Sequence, residues 1–159
     1  MTILLTVAVF DLAGDDDSDT KKRDGLSIHV VLPEEPVTAE IRVGLAVKIR
    51  NVSDKPINLP WPKFINQFIS TGSTAQDNTV LTVRHVGLAL GHGKYPGGDL
   101  KPGGEMTVEV WHIFPDAGWY TFKCVLDTTG LEGHNIWDIW EGRVESKPIS
   151  VKAKSRKDG

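Results

Sequence analysis

The sequence predicts an all-β chain, about eight strands packed as two antiparallel sheets, and three observations predict it. The first is period-two alternation: Ile41, Val43, Leu45, Val47 and Ile49 alternate with Arg42, Gly44, Ala46, Lys48 and Arg50, which gives a strand one apolar face and one wet face. The second is turn chemistry between such runs, at Asn51 to Pro56, Leu100 to Gly104 and Phe114 to Gly118, where proline fixes φ and glycine admits angles other residues resist. The third is that no amphipathic helix separates the strands, so the crossovers a parallel sheet needs are missing.

Taken in order, Ile3 to Phe10 is apolar, yet no Lys or Arg precedes it and no small-x-small cleavage site follows, so it reads as an N-terminal strand rather than a signal peptide. Residues 11–25 carry D-D-D-S-D and then K-K-R-D-G, too charged to bury, and form a solvated flexible loop. Asp15, Asp17 and Asp19 have calcium-loop spacing, but Thr20 stands where that loop needs glycine and Leu26 where it needs glutamate. Leu26 to Leu32 is a strand ended by Pro33. After the Ile41 to Arg50 run, Asn51 to Pro56 turns the chain and Ile57 to Leu59 begins a returning strand. Asn51-Val52-Ser53 is also a glycosylation sequon, for which the turn is the simpler reading.

Trp61 to Phe68 is aromatic, holds Pro62 and has no helix caps, so it is expected to cover an end of the sandwich. Thr71 to Asn78 is a polar loop, Val80 to Val86 is a strand, and Gly87 to Gly104, with seven glycines and two prolines, is mostly loop. Met106, Val108, Val110 and His112 alternate with Thr107, Glu109 and Trp111 in the next strand. Tyr120, Phe122, Cys124 and Leu126 face one way in the one after it. Arg143 to Val151 closes the fold, with Pro148 marking an edge or a break, and the basic tail over 152–159 is expected to fray.

A chain of 159 residues is one domain by size, 1–159. A net charge of −3, mixed in sign, gives no basic field for nucleic acid. One cysteine excludes an internal disulfide, so packing carries the stability. No run approaches the roughly twenty apolar residues of a membrane-spanning helix. The sequence leaves the compartment unset: cytoplasmic as it stands, or exported if the N-terminus is truncated. The first strand, on its flexible linker, is free to swap between copies and so to build a homodimer.

Asp116, Gly118 and Tyr120 match the D-x-G-x-Y part of the corner in immunoglobulin-type sandwiches, where the tyrosine bonds back to upstream backbone; Phe122 stands where the second disulfide cysteine would be. The expected fold is therefore an immunoglobulin-like antiparallel β-sandwich with a structural corner but no disulfide. G-L-A-V-K-I-R-N-V-S-D-K-P-I-N-L (44–59), L-K-P-G-G-E-M-T-V-E-V (100–110) with D-A-G-W-Y-T-F (116–122), and W-E-G-R-V-E-S-K-P-I-S-V (140–151) resemble bacterial immunoglobulin-like or fibronectin-like accessory domains, the second also proteinase-inhibitor-like domains. That resemblance implies binding or inhibition without catalysis and without a cofactor.

G-W-Y-T-F-K-C (118–124) followed by Gly133-His134 also resembles the end of cupredoxins. That resemblance implies a copper-binding electron-transfer alternative, with Cys124 as thiolate and His134 and His85 as imidazoles. The pattern departs from the family's: nine residues separate Cys124 from His134 and no methionine follows. The simpler role for Cys124 is a small buried apolar residue. No G-x-S-x-G turn and no Cys-His pair with a third group supports catalysis, so the chain is expected not to be an enzyme. What remains is aromatic. Trp137 and Trp140, with His134 and with Trp61 or Trp111 nearby, are the candidate contacts to a protein or carbohydrate partner, because end loops of sandwiches are where partners bind and tryptophans anchor them.

Overall fold

The structure is a computed structural model that describes residues 25–84, 97–129 and 138–158. The strand expected over Ile3 to Phe10 and the charged loop as far as Asp24 lie outside the described residues. Ten strands are described: β1 (Leu26–Val31), β2 (Arg42–Asn51), β3 (Ile57–Pro60), β4 (Ile69–Ala75), β5 (Val80–Arg84), β6 (Gly97–Leu100), β7 (Glu105–Ile113), β8 (Gly118–Asp127), β9 (Arg143–Glu145) and β10 (Ile149–Ala153). A four-residue helical turn, α1 (Pro62–Ile65), and a 3₁₀ turn, Asn66–Phe68, join β3 to β4.

Two antiparallel sheets carry the fold, one ordered β1-β2-β7 and the other β10-β8-β4-β5 with β9 also on β8. These orders match A-B-E and G-F-C-C′ of an immunoglobulin-like sandwich. Alternation is the physical cause. Val43, Leu45, Val47 and Ile49 of β2 and Val108 and Val110 of β7 are buried, and they meet Tyr120, Phe122, Cys124 and Leu126 of β8 in one apolar cluster. Ile41, counted with the inward face in the sequence, precedes β2 and is exposed.

Four expectations are corrected. Ile57 to Leu59 does not return onto β2; β3 pairs with β6 as a separate two-stranded ribbon, while β2 lies between β1 and β7. The cause is Asn51, wholly buried at the end of β2. Its Nδ2 donates to the carbonyls of Lys55 and Leu100, both at 2.7 Å, and its Oδ1 accepts from the Ser53 N–H and hydroxyl. The side chain thus ties the turn after β2 to the end of β6, and the sequon nitrogen is used inside the fold. The stretch from Thr71, expected as polar loop, is strand as far as Ala75 because it pairs with β8 on one side and β5 on the other. Within the glycine-rich stretch, expected to be mostly loop, Gly97 and Gly98 belong to β6. A Cβ on Gly97 would lie 2.8 Å from the Leu59 carbonyl, so glycine is what allows β6 to approach β3.

The last strand is two strands. Glu145 pairs with Val125 and Ile149 with Phe122, so residues 146–148 face only residues 123 and 124, a bulge that contains Pro148. The Ser146 N–H donates to the Cys124 carbonyl at 2.8 Å and the Ser146 hydroxyl accepts the Cys124 N–H at 2.9 Å, keeping both groups paired across the break. The tail does not fray from Lys152 either. β10 runs to Ala153, and Lys154 bridges Thr38 in parallel, its N–H bonded to the Val37 carbonyl and its carbonyl to the Ala39 N–H, both at 2.9 Å. The first of the eight expected strands lies outside the described residues, and β4, β6 and the division of the last strand into β9 and β10 bring the described number to ten.

Candidate binding surface and the sealed core groups

The corner before β8 is built by its own residues. Gly118 has φ +156°, a conformation side-chain-bearing residues rarely adopt, and it turns the chain from Asp116 into β8. The Tyr120 hydroxyl donates to the Asp116 carbonyl at 2.8 Å and accepts the Asp116 N–H at 3.1 Å. Its ring lies 5.0 Å from Phe114, which is fully buried.

Farther along β8 and on the strands beside and facing it, the chemistry-bearing groups are closed off. Cys124 is fully buried, and burial pushes its thiol up to about 12, the opposite of the lowered pKa a thiolate ligand needs. His85 and His134, its proposed copper partners, lie outside the described residues, and among the described residues no three His, Cys, Asp or Glu side chains gather as metal ligands. His112, on the inward face of β7, reaches across to β4: its Nδ1 lies 2.9 Å from the Thr71 hydroxyl and its Nε2 2.8 Å from the Ser73 hydroxyl. A neutral imidazole offers one donor and one acceptor, and hydroxyls serve either role. Phe114 and Phe122 meet the ring edge-on at 4.9 and 5.1 Å. The Ser73–His112 pair has the reach of a nucleophile and base, yet both residues are buried between the sheets.

The described tryptophans of the expected binding set lie around β3 and α1. Trp61 caps α1, its carbonyl accepting the N–H groups of Phe64 and Ile65 at 2.8 and 3.0 Å, and it is 46% exposed. A Cβ on Gly98 would stand 3.5 Å from its Nε1, so the indole rests against the bare backbone of β6, and the Lys63 ammonium lies 5.6 Å from the ring. The Trp140 N–H donates to the Asn58 carbonyl of β3 at 2.8 Å; its side chain is half-buried against the core. Trp111 points out from β7 opposite Gly44, with the Arg42 guanidinium 4.0 Å from its ring centre. It lines a groove of about 490 Å³ that Pro62 and Asn66 also line. The Asn66 amide donates to the Glu109 carbonyl at 3.3 Å, so this turn lies along β7 where the sheet has no further strand among the described residues. Trp137 and His134 lie outside the described residues.

Two features escaped the sequence reading. His112 stands in a clear inward register, but its partners Thr71 and Ser73 lie in a stretch whose polar composition reads as loop and which the structure shows as β4. Trp119 is 48% exposed on the outward face of β8. Its parity, opposite to that of Tyr120 and Phe122, is the signal that would have found it.

Neither a family model nor a curated protein sequence matches the chain. Among solved structures it is similar to the CARDB domain of the PF1109 protein from Pyrococcus furiosus. The crystal structure of that domain in complex with di-metal ions is 11% identical, covers 84% of this chain and 90% of that one, and superposes with a TM-score of 0.40. The solution structure of the same domain is 12% identical, covers 82% and 94%, and has a TM-score of 0.38.

Proposed function

We propose that the chain is a non-catalytic binding domain, accessory or inhibitor-like, that engages a protein partner through the surface formed by α1, the β3–β6 ribbon and the tryptophans beside them. The observation that carries the reading is Trp61: a large ring 46% exposed, braced by backbone and a lysine rather than packed into the core. Rings held in this way are strong anchors at protein interfaces, because little side-chain entropy is lost when they bind. The absence of catalysis is supported by burial: the Ser73–His112 pair and the Cys124 thiol are sealed from substrate. His134 and Trp137, candidate contacts by sequence, lie outside the described residues. No described helix is long and apolar enough to cross a membrane.

A panel of serine, cysteine and metallopeptidases, assayed with the full chain, tests the inhibitor-like form. Stoichiometric inhibition of one class, weakened at least about tenfold by Trp61→Ala, is the expected result, since one interface anchor is worth about 2 kcal/mol or more. Inhibition of none of them, or inhibition indifferent to Trp61, contradicts it.

A further inference from the structure

We propose a second binding site, on the outer face of the β10-β8-β4-β5 sheet, that takes a neutral saccharide with Trp119 as its stacking platform. Two hollows, of about 540 and 260 Å³, share Trp119, Tyr120, Ala75 and Gln76, so the exposed indole stands where they meet. The floor of the larger is made by cross-strand neighbours with short side chains: Thr121 pairs with Thr74 on one side and Ser150 on the other. Hydroxyls therefore line the sheet beside a flat ring. The rim is the turn between β4 and β5, fixed by the Asn78 N–H bonded to the Ala75 carbonyl at 3.0 Å and by the Thr79 N–H bonded to Asp77 Oδ1 at 2.9 Å. Gln76 and Asn78 add amides there, and the smaller hollow adds the carboxylates of Asp77 and Asp116.

The charge of this lining selects the ligand class. Neither hollow is lined by a lysine, arginine or histidine. Hydrogen bonds from Thr79 hold the Asp77 carboxyl below the usual carboxylate range, so it remains an anionic acceptor at neutral pH. A phosphate, sulfate or uronate would face the carboxylates of Asp77 and Asp116 together with the amide and hydroxyl acceptors, with the Lys152 ammonium, 5.6 Å from the Trp119 ring centre, beside them. A neutral sugar offers what the groove can use: hydroxyls for amides, hydroxyls and carboxylates, and an apolar ring face for the indole. A protein partner fits less well, because Trp119 is the one large apolar side chain of the two hollows other than Tyr120, which is buried.

The test is calorimetric titration of the full chain with cellohexaose, xylohexaose and mannohexaose, and with hexagalacturonate as the acidic counterpart. Binding of at least one neutral hexasaccharide at millimolar affinity or tighter is expected, weakened at least tenfold by Trp119→Ala and by Ser150→Glu, unchanged in Trp61→Ala, with no binding of the acidic sugar. The two variants act differently, one removing the platform and one placing charge on the floor, so loss of folding in either leaves the other to decide. Absence of binding by all three neutral sugars overturns the proposal, as does binding that survives both substitutions, or preference for hexagalacturonate. Trp61→Ala separates this outcome from the peptidase test, which reads the other surface.

Discussion

Tyr120 and Cys124 lie on one face of β8, and their environments make opposite demands on their polar atoms. Tyr120 spends its hydroxyl on both backbone groups of Asp116, so Tyr120→Phe is expected to cost about 1 kcal/mol, seen as a lower urea midpoint at unchanged slope. The Cys124 thiol is raised from 9.0 to about 12 by burial. A folded-state value above the unfolded one means that the native chain holds its proton longer. That stabilisation is complete below pH 9 and is lost as pH rises from 9 to about 12. Urea unfolding at pH 8, 9.5 and 10.5 is expected to show stability falling more steeply in the wild type than in Cys124→Ala, where lysines and tyrosines still titrate but the thiol does not. Parallel slopes would mean that the thiol is not the group responsible. The corner spacing and the inward parity of Cys124 were legible in the sequence because turn residues and period-two alternation are local signals. The hydrogen bonds of His112 to Thr71 and Ser73, and of Asn51 to Leu100, were not, because those partners lie about forty to fifty residues away in the chain.

Elements show the same division. β2, β7 and β8 announce themselves by alternation, and their register follows from which face is buried. β3 and β6 do not. The ribbon has only four residues a side, β6 reads Gly97-Gly98-Asp99-Leu100, and glycine in a sequence speaks for loop until a close backbone neighbour requires it. That requirement can be measured. Gly97→Ala places a Cβ 2.8 Å from the Leu59 carbonyl and 2.5 Å from Asn58 Oδ1, and is expected to destabilise by about 2 kcal/mol through overpacking. An unchanged melting temperature would show that the ribbon is not held as described. The broken last strand was half legible: Pro148 marked the break, but the use of Ser146 to pair both backbone groups of Cys124 depends on the bulge geometry.

At the scale of the whole molecule, Ser73, His112 and Cys124 are enclosed between the sheets, while Trp61 and Trp119 are exposed. Ser73, His112 and Cys124 serve packing, while Trp61 and Trp119 lie on different surfaces of the sandwich, one beside the ribbon and one on the outer face of β8. On the function proposed above, binding resides on the surface while the buried groups hold the sandwich together. The most direct measurement compares Trp61→Ala with Ser73→Ala, each assayed for peptidase inhibition and for its unfolding midpoint. Trp61→Ala is expected to weaken inhibition about tenfold or more at an unchanged midpoint. Ser73→Ala, which removes a buried hydroxyl from His112 Nε2, is expected to lower stability by about 1–3 kcal/mol and leave inhibition by the folded protein intact. The reverse pattern, with Ser73→Ala abolishing activity in a protein of wild-type stability and Trp61→Ala without effect, would contradict the account.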